Sequence, residues 1–222
     1  MTVAPPLVHS TPAARAYPDR TVAVAGLGYS LAWVVGLTLT STGTTVGSTG
    51  AEVLAAASGS TGVVAAQYVV TEIVTAIALV LTLRAVAHRA GDRLIAALGA
   101  VVGGLSLVQA ALGVYLALVA VPSNDAGLAG SLFQAVSRTD GVKMLLIAVL
   151  AMLGARAGRR GRLPRWLTPV AVLLALTVTV SGVGYFLLVD GLAVAAYASL
   201  PLLTVWVTGA GLASARRGGQ EA

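Results

Sequence analysis

The chain of 222 residues contains no cysteine and has two histidines, His9 and His88. Disulfides, thiolate catalysis and cysteine-ligated metals are therefore excluded. Both histidines fall outside the long apolar runs, so we do not expect a haem or a histidine metal site within a membrane. The chain also lacks the Asp-rich motif that binds Mg²⁺ in diphosphate chemistry. We expect a protein without a metal or another cofactor.

Charged residues are scarce as well, at 10% of the chain against 57% hydrophobic residues, whereas soluble domains have about 25% charged residues. Alternating strands of an outer-membrane barrel are absent. Six apolar runs have about the 20 residues that an α-helix needs to cross a bilayer. They cover residues 21–40, 63–83, 94–121, 136–155, 166–189 and 192–213. The sequence predicts an all-α membrane bundle of six transmembrane helices over residues 21–213.

The basic residues are distributed as the topology of such a bundle requires. Arginines precede the first run, separate the second from the third and the fourth from the fifth, and follow the sixth. All of these positions lie on one side if the chain crosses six times, and the positive-inside rule makes that side cytoplasmic. The prediction is a multi-pass membrane protein with cytoplasmic tails at 1–20, which is disordered, and at 214–222. Contact with anionic lipid explains the net charge of +6 without a nucleic-acid partner.

Glu72 is the most informative residue, because it interrupts an apolar run that is otherwise long enough to cross the bilayer. A carboxylate at that depth costs several kcal/mol unless it is paired, protonated or facing water. At about 1.5 Å per residue, Glu72 lies about 18 Å from Arg84, and Lys143 lies about 20 Å from Arg156. The two charges therefore share a depth, and an ion pair forms if their helices are adjacent.

Other polar and aromatic residues concentrate in the outer half of the predicted bundle. Asp140 lies one helical turn from Lys143, and Gln109 lies at a similar depth. The aromatic residues and the remaining acid at these depths are Trp33, Tyr68, Tyr115, Tyr185, Phe186, Tyr197 and Asp190. Two interpretations stay open. Either the polar groups neutralise one another and fix the helix packing, or they line a cavity for a hydrophobic ligand.

The two longer outer connections contain helix-compatible segments. In 41–62, a short piece over 51–57 begins near Glu52, and in 122–137 the apolar residues share one helical face. Both are predicted to lie at the outer interface, as lids or as connectors. Pro201 predicts a kink in the last helix.

A family resemblance rests on Trp33-Val34-Val35-Gly36-Leu37, on the polar loop after it, and on Gln67-Tyr68 with Glu72. In these motifs the chain resembles small bacterial integral-membrane terpene cyclases of indole-sesquiterpenoid (drimentine-type) pathways. These are functionally similar to the fungal meroterpenoid cyclases, which have seven helices rather than six. The resemblance implies a multi-pass protein of the bacterial inner membrane. It also implies proton-initiated carbocation cyclisation of a prenylated (farnesyl) aromatic substrate.

The same resemblance implies roles for individual residues. By their order in the chain, Glu72 and Asp190 match the family's acids, and Asp140 is a further carboxyl that can stabilise the donor. Substrate contacts are then expected from Gln109, Lys143 and the aromatic residues Trp33, Tyr68, Tyr115, Tyr185, Phe186 and Tyr197, since aromatic faces stabilise carbocations.

Two other functions compete with cyclisation. The first is a carrier or proton-coupled exporter of a small hydrophobic compound, in which Glu72 is alternately protonated. The second is a non-catalytic subunit that packs against a larger membrane partner. A tight contact with Lys143 would keep Glu72 ionised and unable to donate a proton.

Overall fold

The computed structural model describes residues 19–39 and 43–215, and in these residues the chain is helical, without a β-strand. Within these described residues, six helices are long and apolar enough to cross a membrane. The prediction of an all-α bundle with six spans is confirmed. The predicted tails lie outside the described residues except at their inner ends, because the first helix already begins at Asp19 and the last continues to Ala215.

The helices follow one another with short connections. They are α1 (Asp19–Leu39), α2 (Gly50–Ala57), α3 (Thr61–Ala90), α4 (Arg93–Ala120), α5 (Ala126–Arg159), α6 (Leu167–Leu187), α7 (Asp190–Ala193) and α8 (Ala196–Ala215). Two π-helical segments interrupt the α-helical geometry, at Val69–Val74 in α3 and at Leu116–Ala120 in α4. A turn at 194–195 separates α7 from α8, which together form the sixth span and include Pro201.

Glycines set the closest helix contacts. Helix α1 packs against α3 and α8, and α5 packs against α4 and α6. A Cβ on Gly26 of α1 would lie 3.3 Å from the Cα of Gly211 in α8. A Cβ on Gly141 of α5 would lie 2.6 Å from the backbone nitrogen of Phe186 in α6. The absence of these side chains lets the backbones approach, which is the usual basis of helix association in membranes.

Helix α5 corrects the prediction of a separate interfacial segment over 122–137. It is one continuous helix of 34 residues, about 51 Å long and therefore longer than a bilayer core of about 30 Å. The Asp125 carboxylate accepts a hydrogen bond from the Leu128 N–H at 2.9 Å and caps the helix. No proline follows before Arg159, so the helix that starts at this cap continues through the predicted span.

The buried side chains form two hydrophobic cores. The larger core includes Leu83, Val86, Leu174 and Trp206 and lies toward the end of the bundle that carries the α3–α4 and α5–α6 connections, here called the arginine-bearing end. The smaller core joins α2, α3 and α4 to the first turns of α5 at the opposite end. Between the two cores lie buried polar residues, including Thr71, Glu72, Ser106, Gln109 and Lys143.

Candidate functional site: a buried charge cluster

Lys143 is the centre of this polar layer. Its ammonium donates hydrogen bonds to Oε2 of Glu72 at 2.7 Å and to Oε1 of Gln109 at 2.7 Å, and its Nζ lies 2.8 Å from Oδ1 of Asp140. A lysine ammonium has three N–H donors, so each has an acceptor. The three acceptors come from α3, α4 and α5. We call Glu72, Gln109, Asp140 and Lys143 the charge cluster.

The members of the cluster differ in exposure. The side chains of Glu72 and Lys143 are 5% and 8% exposed, whereas that of Asp140 is 17% exposed. When all three groups are ionised, two carboxylates share one ammonium and the cluster has a net charge of −1. A net charge within hydrocarbon is costly, and one additional proton removes it. The cluster therefore has the composition of a proton-binding centre, and Asp140 is its most accessible carboxyl.

Glu72 lies in the π-helical segment Val69–Val74. Two threonines satisfy backbone carbonyls in and beside this segment: the Thr71 hydroxyl donates to the Gln67 carbonyl at 2.8 Å, and the Thr75 hydroxyl donates to the Thr71 carbonyl. Such back-bonding is common for threonine in helices. Single π-helical turns occur frequently at functional sites, and this one sets the position from which Glu72 reaches Lys143.

Helix α1 packs closely on the same segment because position 36 is glycine. A Cβ on Gly36 would collide with Cγ2 of Thr71. From α4, the buried Ser106 lies within hydrogen-bonding reach of the Glu72 carboxylate. The π-helical segment is thus held between α1 and α4.

Three tyrosines lie close enough to the cluster to interact electrostatically with its charged groups. They are Tyr29 of α1, Tyr68 of α3 and Tyr185 of α6. Tyr29 is 3% exposed. The Tyr68 ring packs against Gly113 of α4, where any Cβ would collide with it. The cluster therefore has aromatic neighbours on three helices.

Other residues singled out in the sequence lie elsewhere. Asp190, at the start of α7, accepts a hydrogen bond from the Gly47 N–H at 3.1 Å and does not join the charge cluster. Tyr115, Phe186 and Tyr197 are exposed on the surface of the bundle. Trp33 is partly buried and packs against the larger core.

Sequence reasoning did not select Tyr29 or Ser106. Ser106 lies three residues before Gln109, so the helical period places both on one face of α4. This spacing was a usable signal. For Tyr29 no such signal existed, because α1 is apolar around most of its circumference and its sequence does not show which face is buried.

Comparison with known proteins found no matching family model, no matching curated protein and no matching solved structure.

Proposed function

We propose that the charge cluster is the functional centre of a multi-pass protein of the bacterial inner membrane, and that it binds and releases one proton. The arginine-bearing end faces the cytoplasm in this proposal, in agreement with the positive-inside rule. One observation carries the proposal: two buried carboxylates, Glu72 and Asp140, share the single ammonium of Lys143. An ionisable group in a membrane helix costs free energy, so it is rarely retained there unless it has a function.

The chemistry that best fits a proton centre in a hydrophobic bundle is cyclisation of an isoprenoid, by a cofactor-independent terpene cyclase. Lys143 neutralises one of the two carboxylates, so the proton bound by the other is available for transfer, and Asp140, the more exposed of the two, delivers it. Its proton adds to the terminal alkene of a farnesylated aromatic substrate and leaves a carbocation on the adjacent carbon. Ring closure consumes further double bonds, and loss of a proton from the final cation returns Asp140 to its starting state. The reaction is an isomerisation without a net change in protons or electrons.

The surroundings of Asp140 support this assignment. It is more exposed than the other two charged groups, so a substrate reaches it first. Tyr68 and Tyr185 are near it, and aromatic faces attract cations. The Lys143 ammonium stabilises the carboxylate that remains after proton transfer. Because hydrophobic cores pack on both sides of the polar layer, substrate binding requires the helices beside Asp140 to separate.

The test is conversion of a farnesylated indole by membranes that contain the protein. Wild-type membranes should give an isomeric product with a changed chromatographic retention time. Asp140→Asn should abolish it, and Asp190→Asn, which removes a carboxyl outside the cluster, should not. Infrared spectra of the purified protein should show one protonated carboxyl, and Asp140→Asn should abolish it, because Glu72 and Lys143 then neutralise each other without an added proton. The infrared result reports on proton binding even when the substrate is wrong.

A second candidate is a proton-coupled carrier of a small hydrophobic compound. The charge cluster itself is compatible with it, because ionisable groups within membrane helices mark proton and ion pathways in pumps and transporters. A carrier predicts uptake of a hydrophobic dye into proteoliposomes that depends on a pH gradient and is lost in Lys143→Met. Equal uptake by empty liposomes excludes this candidate.

A further inference from the structure

A groove of about 530 Å³ opens at the arginine-bearing end, between α1, α8 and the α5–α6 connection. Val205 and Leu212 supply apolar lining from α8, and Trp166 stands half-exposed at the groove. Arg89 lines the groove from the last turn of α3. The groove therefore combines an apolar wall with one permanently charged guanidinium.

The groove extends from the arginine-bearing end into the membrane-spanning part of the bundle. Its α8 lining runs from Thr204 to Ala213, a span of ten residues that rises about 14 Å along the helix axis. Arg89 is at the end of this lining that lies nearest the arginine-bearing end of the bundle, because its guanidinium donates a hydrogen bond to the Ala213 carbonyl. The charge thus lies where lipid headgroups lie, and the apolar lining continues toward the bilayer centre.

The walls of the groove are fixed by contacts between helices. The hydroxyls of Ser30 and Thr208 are 2.7 Å apart, and the Thr208 hydroxyl donates to the Gly26 carbonyl at 2.8 Å, which joins α1 to α8. The Trp166 ring lies over Gly209, where a Cβ would approach it to 2.7 Å. The hydroxyl groups are thus used within the protein. The Arg89 guanidinium, which has five N–H donors, keeps its charge beside the apolar lining while it contacts Ala213.

The charge around the groove selects a negative ligand. The two connections at this end, residues 84–93 and 156–165, contain eight arginines and one acidic residue, Asp92. Basic pockets between membrane helices bind the headgroups of anionic lipids, and an arginine matches phosphate geometry. We infer that the groove is a binding site for one anionic phospholipid, with its phosphate on Arg89 and an acyl chain along Val205 of α8.

The inference does not depend on the proposed function and is tested with spin-labelled lipids. Phosphatidylglycerol and phosphatidylcholine with the same acyl chains are compared for their association with the purified full chain in lipid vesicles. Wild-type protein should prefer phosphatidylglycerol. Arg89→Gln should weaken its association about fivefold, the factor expected for one basic residue near an anionic surface, and should leave phosphatidylcholine unchanged.

Matched variants separate a site from a general charge effect. Arg93→Gln removes the same charge at the same end but outside the groove lining, and should have less than half the effect of Arg89→Gln on phosphatidylglycerol. Val205→Trp fills the groove and should weaken association, whereas Leu176→Trp, on the exposed face of α6, should not. Equal association of the two lipids, or equal effects of Arg89→Gln and Arg93→Gln, would overturn the inference.

Discussion

Replacement of Lys143 by methionine tests the charge cluster most directly. Methionine fills a similar volume but has no donor, so Glu72, Gln109 and Asp140 lose the ammonium that lies 2.7 to 2.8 Å from each of them. Removal of one partner from a buried ion pair costs about 3–5 kcal/mol, because the other charge stays buried without compensation. Here two carboxyl groups, those of Glu72 and Asp140, lose the same cation, so we expect a loss at the upper end of that range.

The charge count predicts an asymmetry between the partners. Glu72→Gln leaves Lys143 with Asp140 and Gln109, and therefore a neutral cluster that keeps its hydrogen bonds. Its cost should be about 1 kcal/mol, that of weakening a single hydrogen bond to a charged group. Lys143→Met should thus cost at least 2 kcal/mol more than Glu72→Gln by these estimates, roughly a thirtyfold difference in the unfolding equilibrium.

The measurement is unfolding of the purified protein in mixed detergent and SDS micelles, followed by loss of helical circular dichroism. The control is Arg138→Met, which removes a cation from an exposed position on the same helix and should cost within about 0.5 kcal/mol. If Lys143→Met is no less stable than Arg138→Met, the cluster is not a buried ion network.

Two further perturbations concern the π-helical segment beside Glu72 and the cap of α2. Gly36→Ala places a methyl against Thr71 and should cost about 1–3 kcal/mol of unfolding free energy, as overpacking does; Gly28→Ala on the same helix meets no atom within 4 Å and should be neutral or slightly stabilising in the same assay. At α2, hydrogen bonds from the backbone N–H and hydroxyl of Thr49 hold the pKa of exposed Glu52 below its ordinary value of 4.5. Its stabilisation of α2 is therefore complete above that pH and is lost as pH falls through the lowered pKa. Amide exchange protection in α2 should fall accordingly, and a Glu52→Gln variant that keeps the same pH dependence would contradict this account.

The sequence alone determined the membrane bundle and the depth of its charges. Long apolar runs leave few alternatives to spanning helices, because backbone polar groups in a bilayer must be satisfied internally. The fixed rise of a helix then placed Glu72 and Lys143 at one level. In the structure the two side chains are in contact at that level. Helix α4 packs against both of their helices and supplies Gln109 as a further acceptor for Lys143.

Only the tertiary structure decided which residues share a site. The spans are apolar on nearly every side, so their sequences hold little information about rotation around the helix axis or about neighbours. The helical period alone places Asp140 one turn from Lys143. Only packing brings Glu72 and Gln109 to that pair and leaves Asp190 beside Gly47. The π-helical turn at Glu72 lies against Gly36 of α1 and Ser106 of α4, neighbours that only the assembled bundle brings to it.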